Sequence, residues 1–367
     1  MSATQALRRT ALYDEHVALG ARLVPFGGFE MPVQYGGIIR EHDAVRRRAG
    51  LFDLSHMAQF ELRGSRVGEW ADALTVNAVS TMKPLQARYN IFCNPRGGSM
   101  DDVLFYRLPD RWLLVVNAAN ANKMWPYISS HAEPEVRLTN LHGQRALIAV
   151  QGPRAVEIVA PLSDLDVASM KYYFCAEGHI DGAAAIIART GYTGEDGFEL
   201  FLDGADAPRV WRKLLEAGAP HGLEPAGLGA RDMLRLEAGM PLYGLELAED
   251  ISPPAGGQNW AVKMNKPQFV GKEALAEQLA ADEYARIAGI EMEGRVPARG
   301  GYPVFLGSRR AGEVRSASVA PSLGNRNIGT VLVDKEAAAV GTKLDVEIRG
   351  ARHPATVVAL PFYRRPS

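Results

Sequence analysis

Three short stretches combine residue types that could bind and react. The first, Gly97-Gly-Ser-Met-Asp-Asp-Val-Leu-Phe-Tyr, carries adjacent carboxylates on a predicted strand over residues 100–108. Strand alternation then puts Asp102, Leu104 and Tyr106 on one face, with Asp101, Val103 and Phe105 on the other. A carboxylate beside a phenol can hold a polar heterocycle or handle a proton. The same Asp pair also suits the end of a hairpin turn. The second stretch is Arg189-Thr-Gly-Tyr-Thr-Gly-Glu-Asp-Gly-Phe-Glu-Leu, whose glycines permit a tight turn with Tyr192 near its apex. In the outgoing strand Phe198, Leu200 and Leu202 share a face, leaving Glu199 and Phe201 on the other. Glu199 there can accept a pair of adjacent N–H donors from a ring; a solvated strand face is the plainer alternative.

The third stretch, Gly227-Leu-Gly-Ala-Arg-Asp-Met-Leu-Arg-Leu-Glu, reads as a helix. Arg231 stands three residues from Leu228 and from Leu234, at the edge of the apolar stripe. An arginine so placed has as its partner either a protein carboxylate or an anionic ligand. Gly227-Leu-Gly is not a dinucleotide fingerprint, because Asp232 occupies the place of the third glycine. His56, in Leu54-Ser-His-Met, has no nucleophile signature around it and reads as structural. Asn117 ends an apolar strand, where its amide can orient a ligand or cap the strand end.

Elements that position these residues follow from the surrounding pattern. Residues 89–94, 100–108 and 111–117 read as an antiparallel meander, with Pro95-Arg-Gly-Gly as its first turn. Strands at 184–188 and 197–202 bracket the Tyr192 turn. Helices are predicted at 39–48, 207–217, 225–237 and 272–282, and residues 51–64 as a strand pair around a polar break. Beyond 285 only short β segments appear. The class is α+β, with 1–282 as one region, built of two intertwined domains of which the second spans roughly 52–140, and 283–367 as an all-β domain.

Composition narrows the function. Lys+Arg 41 against Asp+Glu 42 leaves a formal charge of −1, which gives nucleic acid or an anionic membrane no electrostatic attraction to the chain as a whole. The two cysteines, Cys93 and Cys175, lie far apart and outside any metal or redox spacing, so reduced thiols are expected. Eight histidines are scattered without paired spacing, and no metal site is expected. The opening residues lack a signal-peptide core and no run could cross a bilayer, so a cytoplasmic protein is expected.

Taken in order, several motifs resemble the aminomethyltransferase (T-protein) family of the glycine cleavage system. They include Pro32-Val-Gln-Tyr, Leu51-Phe-Asp-Leu-Ser-His-Met, Gly97-Gly-Ser-Met-Asp-Asp, Gly191-Tyr-Thr-Gly-Glu-Asp-Gly-Phe-Glu, Ala230-Arg-Asp-Met-Leu-Arg-Leu-Glu-Ala-Gly, Phe269-Val-Gly-Lys and Leu360-Pro-Phe-Tyr. The resemblance implies a three-domain cloverleaf around a central folate channel, ending in a small β-barrel. It also implies the reaction: a one-carbon unit passes from the aminomethylated dihydrolipoyl arm of a lipoylated H-protein to tetrahydrofolate. The products are 5,10-methylene-tetrahydrofolate, ammonia and the reduced arm. Carried over by position, the catalytic aspartate falls on Asp102. The folate contacts fall on Met57, Tyr89, Tyr106, Asn117, Tyr192, Glu199 and Arg231.

Overall fold

Phe198, Leu200 and Leu202 lie in one apolar core with Ile148, Val150 and Leu51, which makes Gly197–Asp203 an interior strand of a six-stranded sheet. The chain is seen here in a computed structural model that describes residues 6–294 and 296–366. The strand order is Cys175–Ile180, Ala183–Ala188, Gly197–Asp203, Arg145–Gln151, Ala49–Asp53 and Leu223–Pro225. All neighbours are antiparallel except the last pair, which is parallel. The helix Ala207–Gly218 covers one face with Val210, Trp211 and Leu214. Burying such a row of large apolar side chains contributes roughly 1.5–3 kcal/mol for each. The opposite face is also covered, and Glu199 and Phe201 on it are buried. A solvated strand face is therefore ruled out.

The predicted meander forms part of a five-stranded sheet ordered Ala87–Cys93, Ser99–Arg107, Trp112–Val116, Ala58–Arg63 and Arg137–Asn140. In the strand Ser99–Arg107, Ser99, Asp101, Val103 and Phe105 are buried, while Asp102 and Leu104 are half-buried. The alternation thus separates the two aspartates, and Asp102 is a strand residue. The turn before it is set by Asn94, whose Oδ1 accepts the N–H groups of Arg96 (2.9 Å) and Gly98 (3.1 Å).

Residues 51–64 do not form a strand pair. Ala49–Asp53 belongs to the six-stranded sheet and Ala58–Arg63 to the five-stranded one. The polar break between them is a crossing turn rather than a hairpin. Asp53 Oδ1 accepts the Ser55 N–H at 2.8 Å, and the Leu54 carbonyl accepts the Met57 N–H at 2.9 Å. The helix expected from 225 begins at Leu228, because the short strand Leu223–Pro225 takes the preceding residues. Helices Val67–Leu74 and Ala121–Ser130 have no counterpart in the sequence reading; the second contains Pro126, a residue that argues against a helix interior.

By its internal contacts the chain divides into two units. One takes in the chain through Val67, Met82–Arg88 and Leu104–Asp232; the other takes in Gly68–Thr81, Tyr89–Val103 and the chain from Met233 onward. Within the second, six strands close into a barrel in the order Arg286–Met292, Arg326–Val333, Arg309–Ala320, Pro303–Leu306, Lys343–Ile348 and Ala351–Val358. Its interior holds Ile290, Val304, Val331, Val346 and Val357. The fold is thus α+β with a six-stranded C-terminal barrel. Among the described residues no helix is long and apolar enough to cross a membrane.

Candidate active site

Glu199 is 6% exposed. Its Oε2 accepts the Tyr106 phenol at 3.0 Å and the Thr190 hydroxyl at 2.5 Å, while Oε1 accepts no hydrogen bond from the described residues. Asp53, Glu41 and Glu246 use both oxygens, whereas Glu195, like Glu199, takes a donor on one oxygen, Arg46 on Oε1. Asp53 takes Thr10 and His16 on Oδ2 and the Ser55 N–H on Oδ1. Glu41 takes the Tyr35 and Gly37 N–H groups on Oε1 and the Gly227 N–H on Oε2. Glu246 takes Thr330 on Oε1, and Arg235 and the Leu242 N–H on Oε2. Glu199 Oε1 is thereby left open to a donor from outside the chain.

Its anchors are well chosen. Burial, and then the Glu199 charge, push the Tyr106 phenol well above its ordinary pKa, so it remains a donor. The Tyr106 ring packs edge-on against Phe201, 5.1 Å between centroids. Thr190 comes from the strand end opposite: Ala188 pairs with Glu199, and a residue two further on keeps to the same face. Tyr173 also lies close enough for the Glu199 charge to help raise its phenol pKa, after burial and Tyr172. Its backbone sits at φ 62°, a conformation uncommon outside glycine.

The turn carrying Tyr192 is held from several sides. Gln151 donates to the Thr190 carbonyl (3.0 Å) and accepts from the Thr193 hydroxyl (2.9 Å). Arg46 donates to the Thr193 carbonyl (2.7 Å) and to Glu195 (2.8 Å), and Arg189 clasps Asp196 through two nitrogens. A Cβ at Gly191 would stand 1.9 Å from Gln151 Oε1, so a larger residue there would displace the Gln151 amide from the turn. On this turn the Tyr192 ring meets the Arg231 guanidinium, 4.6 Å from the ring centroid, a cation–π contact.

Arg231 is half-buried on the helix Leu228–Glu237. It lies near His56, whose buried imidazole is pushed down to about 4, by burial first and then by the Arg231 and His142 charges against the opposing pull of Asp53. Met57, next in sequence, is half-buried. Asn117 is half-buried at the end of Trp112–Val116, and its side chain does not cap the short turn that follows.

Asp102 has a different setting. Tyr89 Oη donates to its Oδ2 at 3.1 Å, and the Tyr89 ring stacks on Trp260, 5.5 Å between centroids at 26°. Both cysteine thiols are pushed up to about 12, by burial in the first place, and neither offers a nucleophile.

Comparison with known proteins places this arrangement. The model of the GCVT N-terminal domain matches residues 12–266, and that of the glycine cleavage T-protein C-terminal barrel domain matches residues 286–364. The chain belongs to the glycine cleavage T-protein family. An aminomethyltransferase of Desulforamulus reducens is 45% identical over 362 residues, covering 98% of this chain and 99% of that protein. One of Bacillus subtilis is 44% identical, covering 98% of this chain and 100% of that protein. The crystal structure of glycine cleavage system aminomethyltransferase T from Bartonella henselae superposes with a TM-score of 0.91 at 33% identity, over 98% of this chain and 99% of that one.

Six of the site residues expected from sequence fall into pairs: Tyr106 with Glu199, Tyr192 with Arg231, and Tyr89 with Asp102. Met57 and Asn117 are half-buried. Sequence reasoning missed Thr190, Tyr173 and Trp260. Hairpin register counted back from Glu199 would have found Thr190; the other two depend on contacts distant in sequence.

Proposed function

We propose that this protein transfers a one-carbon unit from the aminomethylated dihydrolipoyl arm of an H-protein to tetrahydrofolate. Asp102 is the catalytic residue, and Met57, Tyr89, Tyr106, Asn117, Tyr192, Glu199 and Arg231 contact the folate. The observation that carries this reading is the buried Glu199 carboxylate, with one oxygen anchored and the other without a donor. The N–H edge of a pterin supplies the missing donors. Family membership supports the same substrate class.

Bound folate supplies the amine nitrogens that take up the carbon. The transferred carbon exchanges one C–S and one C–N bond for two C–N bonds. Two N–H protons are given up, one to the departing amine, which leaves as ammonia, and one to the thiol of the arm, so no oxidant is consumed. Asp102, oriented by the Tyr89 hydroxyl, can hold such a proton and stabilise positive charge at the reacting amines. Tyr106 and Thr190 hold Glu199 in one rotamer, which fixes the acceptor before folate arrives. Arg231, over Tyr192, offers a cation to an anionic part of the ligand.

Purified protein incubated with aminomethylated H-protein and tetrahydrofolate should release ammonia and form methylene-tetrahydrofolate in equal amounts. Absence of ammonia, with turnover seen only when a methyl donor replaces the carrier, would overturn the reading.

A further inference from the structure

Trp260 is the exposed one of the five tryptophans, at 59%, yet it does not sit on a loose segment. The short turn Asn259–Ala261 is anchored by the buried side chains of Ala261 and Val262, and by the Lys263 N–H on the Val76 carbonyl (2.9 Å). Preceding it, the N–H groups of Gly256, Gly257 and Gln258 bond to the carbonyls of Ser252, Pro254 and Pro253. The indole is held at two points: its N–H donates to Gln258 Oε1 at 3.0 Å, and its face lies on Tyr89. Gln258 is itself buried. Tyr89 in turn donates to Asp102.

We infer that Trp260 is a positioning residue for the reaction, holding the Tyr89 ring so that its hydroxyl stays on the Asp102 carboxylate. This rests on the assignment of Asp102 above. Stacking removes freedom from Tyr89 about its side-chain torsions, and the hydroxyl at the far end of the ring magnifies any small rotation. Trp260 touches no reacting atom in this scheme; it acts through Tyr89 alone. The chemistry therefore requires a flat ring at position 260 rather than an indole as such.

The experiment is a mutant cycle on the full-length protein in the ammonia-release assay. Trp260→Ala should lower kcat about tenfold, leaving the KM for H-protein and the melting temperature unchanged, and Trp260→Phe should restore most of the loss. In a Tyr89→Phe background, Trp260→Ala should add less than about twofold, because the hydroxyl it positions is already gone. A full additional tenfold loss in that background would overturn the inference. So would a raised KM for H-protein at unchanged kcat, which would make Trp260 a docking residue. Asp102→Asn serves as the control. Should that variant turn over normally, the Asp102 assignment itself fails; should it be inactive while Trp260→Ala is normal, only the Trp260 inference fails.

Discussion

Glu199 and Asp102 are both strand carboxylates, each bonded to a tyrosine hydroxyl at about the same length, 3.0 and 3.1 Å. Their surroundings differ. Glu199 is buried, doubly anchored on one oxygen, and faces tyrosines whose phenols burial keeps protonated. Asp102 is half-buried, and its tyrosine leans on an exposed indole. A carboxylate fixed and dried in this way is suited to recognition, because its acceptor is in place before the ligand comes. One that is half-buried and oriented by a tyrosine hydroxyl is suited to exchanging a proton. Under the proposed function, the two sites divide holding from reacting.

That division can be broken by substitution. Asp102→Asn should fold normally and bind folate within about threefold of the parent, while kcat falls by roughly 10²–10⁴. Glu199→Gln should behave oppositely, weakening folate binding about 10–100-fold through loss of a charged acceptor, with a smaller change in turnover at saturation. Calorimetric titration with folate checks both. Arg231→Ala should weaken folate binding about tenfold; unchanged affinity would return this arginine to a purely internal role.

The smallest effect concerns His56, at the edge of the holding region, and appears only in acid. With its folded pKa near 4 against an ordinary 6.5, the imidazole is neutral in both states above about pH 6.5. As the pH falls, the unfolded chain takes the proton first, so stability is lost from pH 6.5 down to about pH 4. The loss approaches about 1.4 kcal/mol per pH unit within that window. His56→Gln has no such proton to take up. Its urea midpoint should fall less than the parent's between pH 7 and pH 5, and equal falls would contradict the buried neutral assignment.

Much of this was legible in the sequence. Alternation separated Asp102 from Asp101 and set Glu199 opposite Phe198 and Leu200, because a strand's two faces are a local property. What covers a face is not local. Nothing around Glu199 in sequence says that Tyr106 reaches across to it, and so the solvated reading survived until the fold was known. Residues 51–64 looked like a hairpin for the same reason: each strand pairs with segments far away, Arg145–Gln151 in one case and Trp112–Val116 in the other. Trp260 sits 171 positions from the tyrosine it stacks on, beyond the reach of any spacing argument. The family resemblance proposes catalytic and binding positions but carries no information on which carboxylate oxygen is already in use.

The most direct test places Asp102→Asn and Glu199→Gln side by side, measuring for each the folate dissociation constant and the single-turnover rate at saturating folate. Division of labour requires a crossed result: the rate lost with affinity kept for Asp102→Asn, and affinity lost with most of the rate kept for Glu199→Gln. If both substitutions depressed the same quantity to the same extent, the two carboxylates would be doing one job, and the account would be wrong.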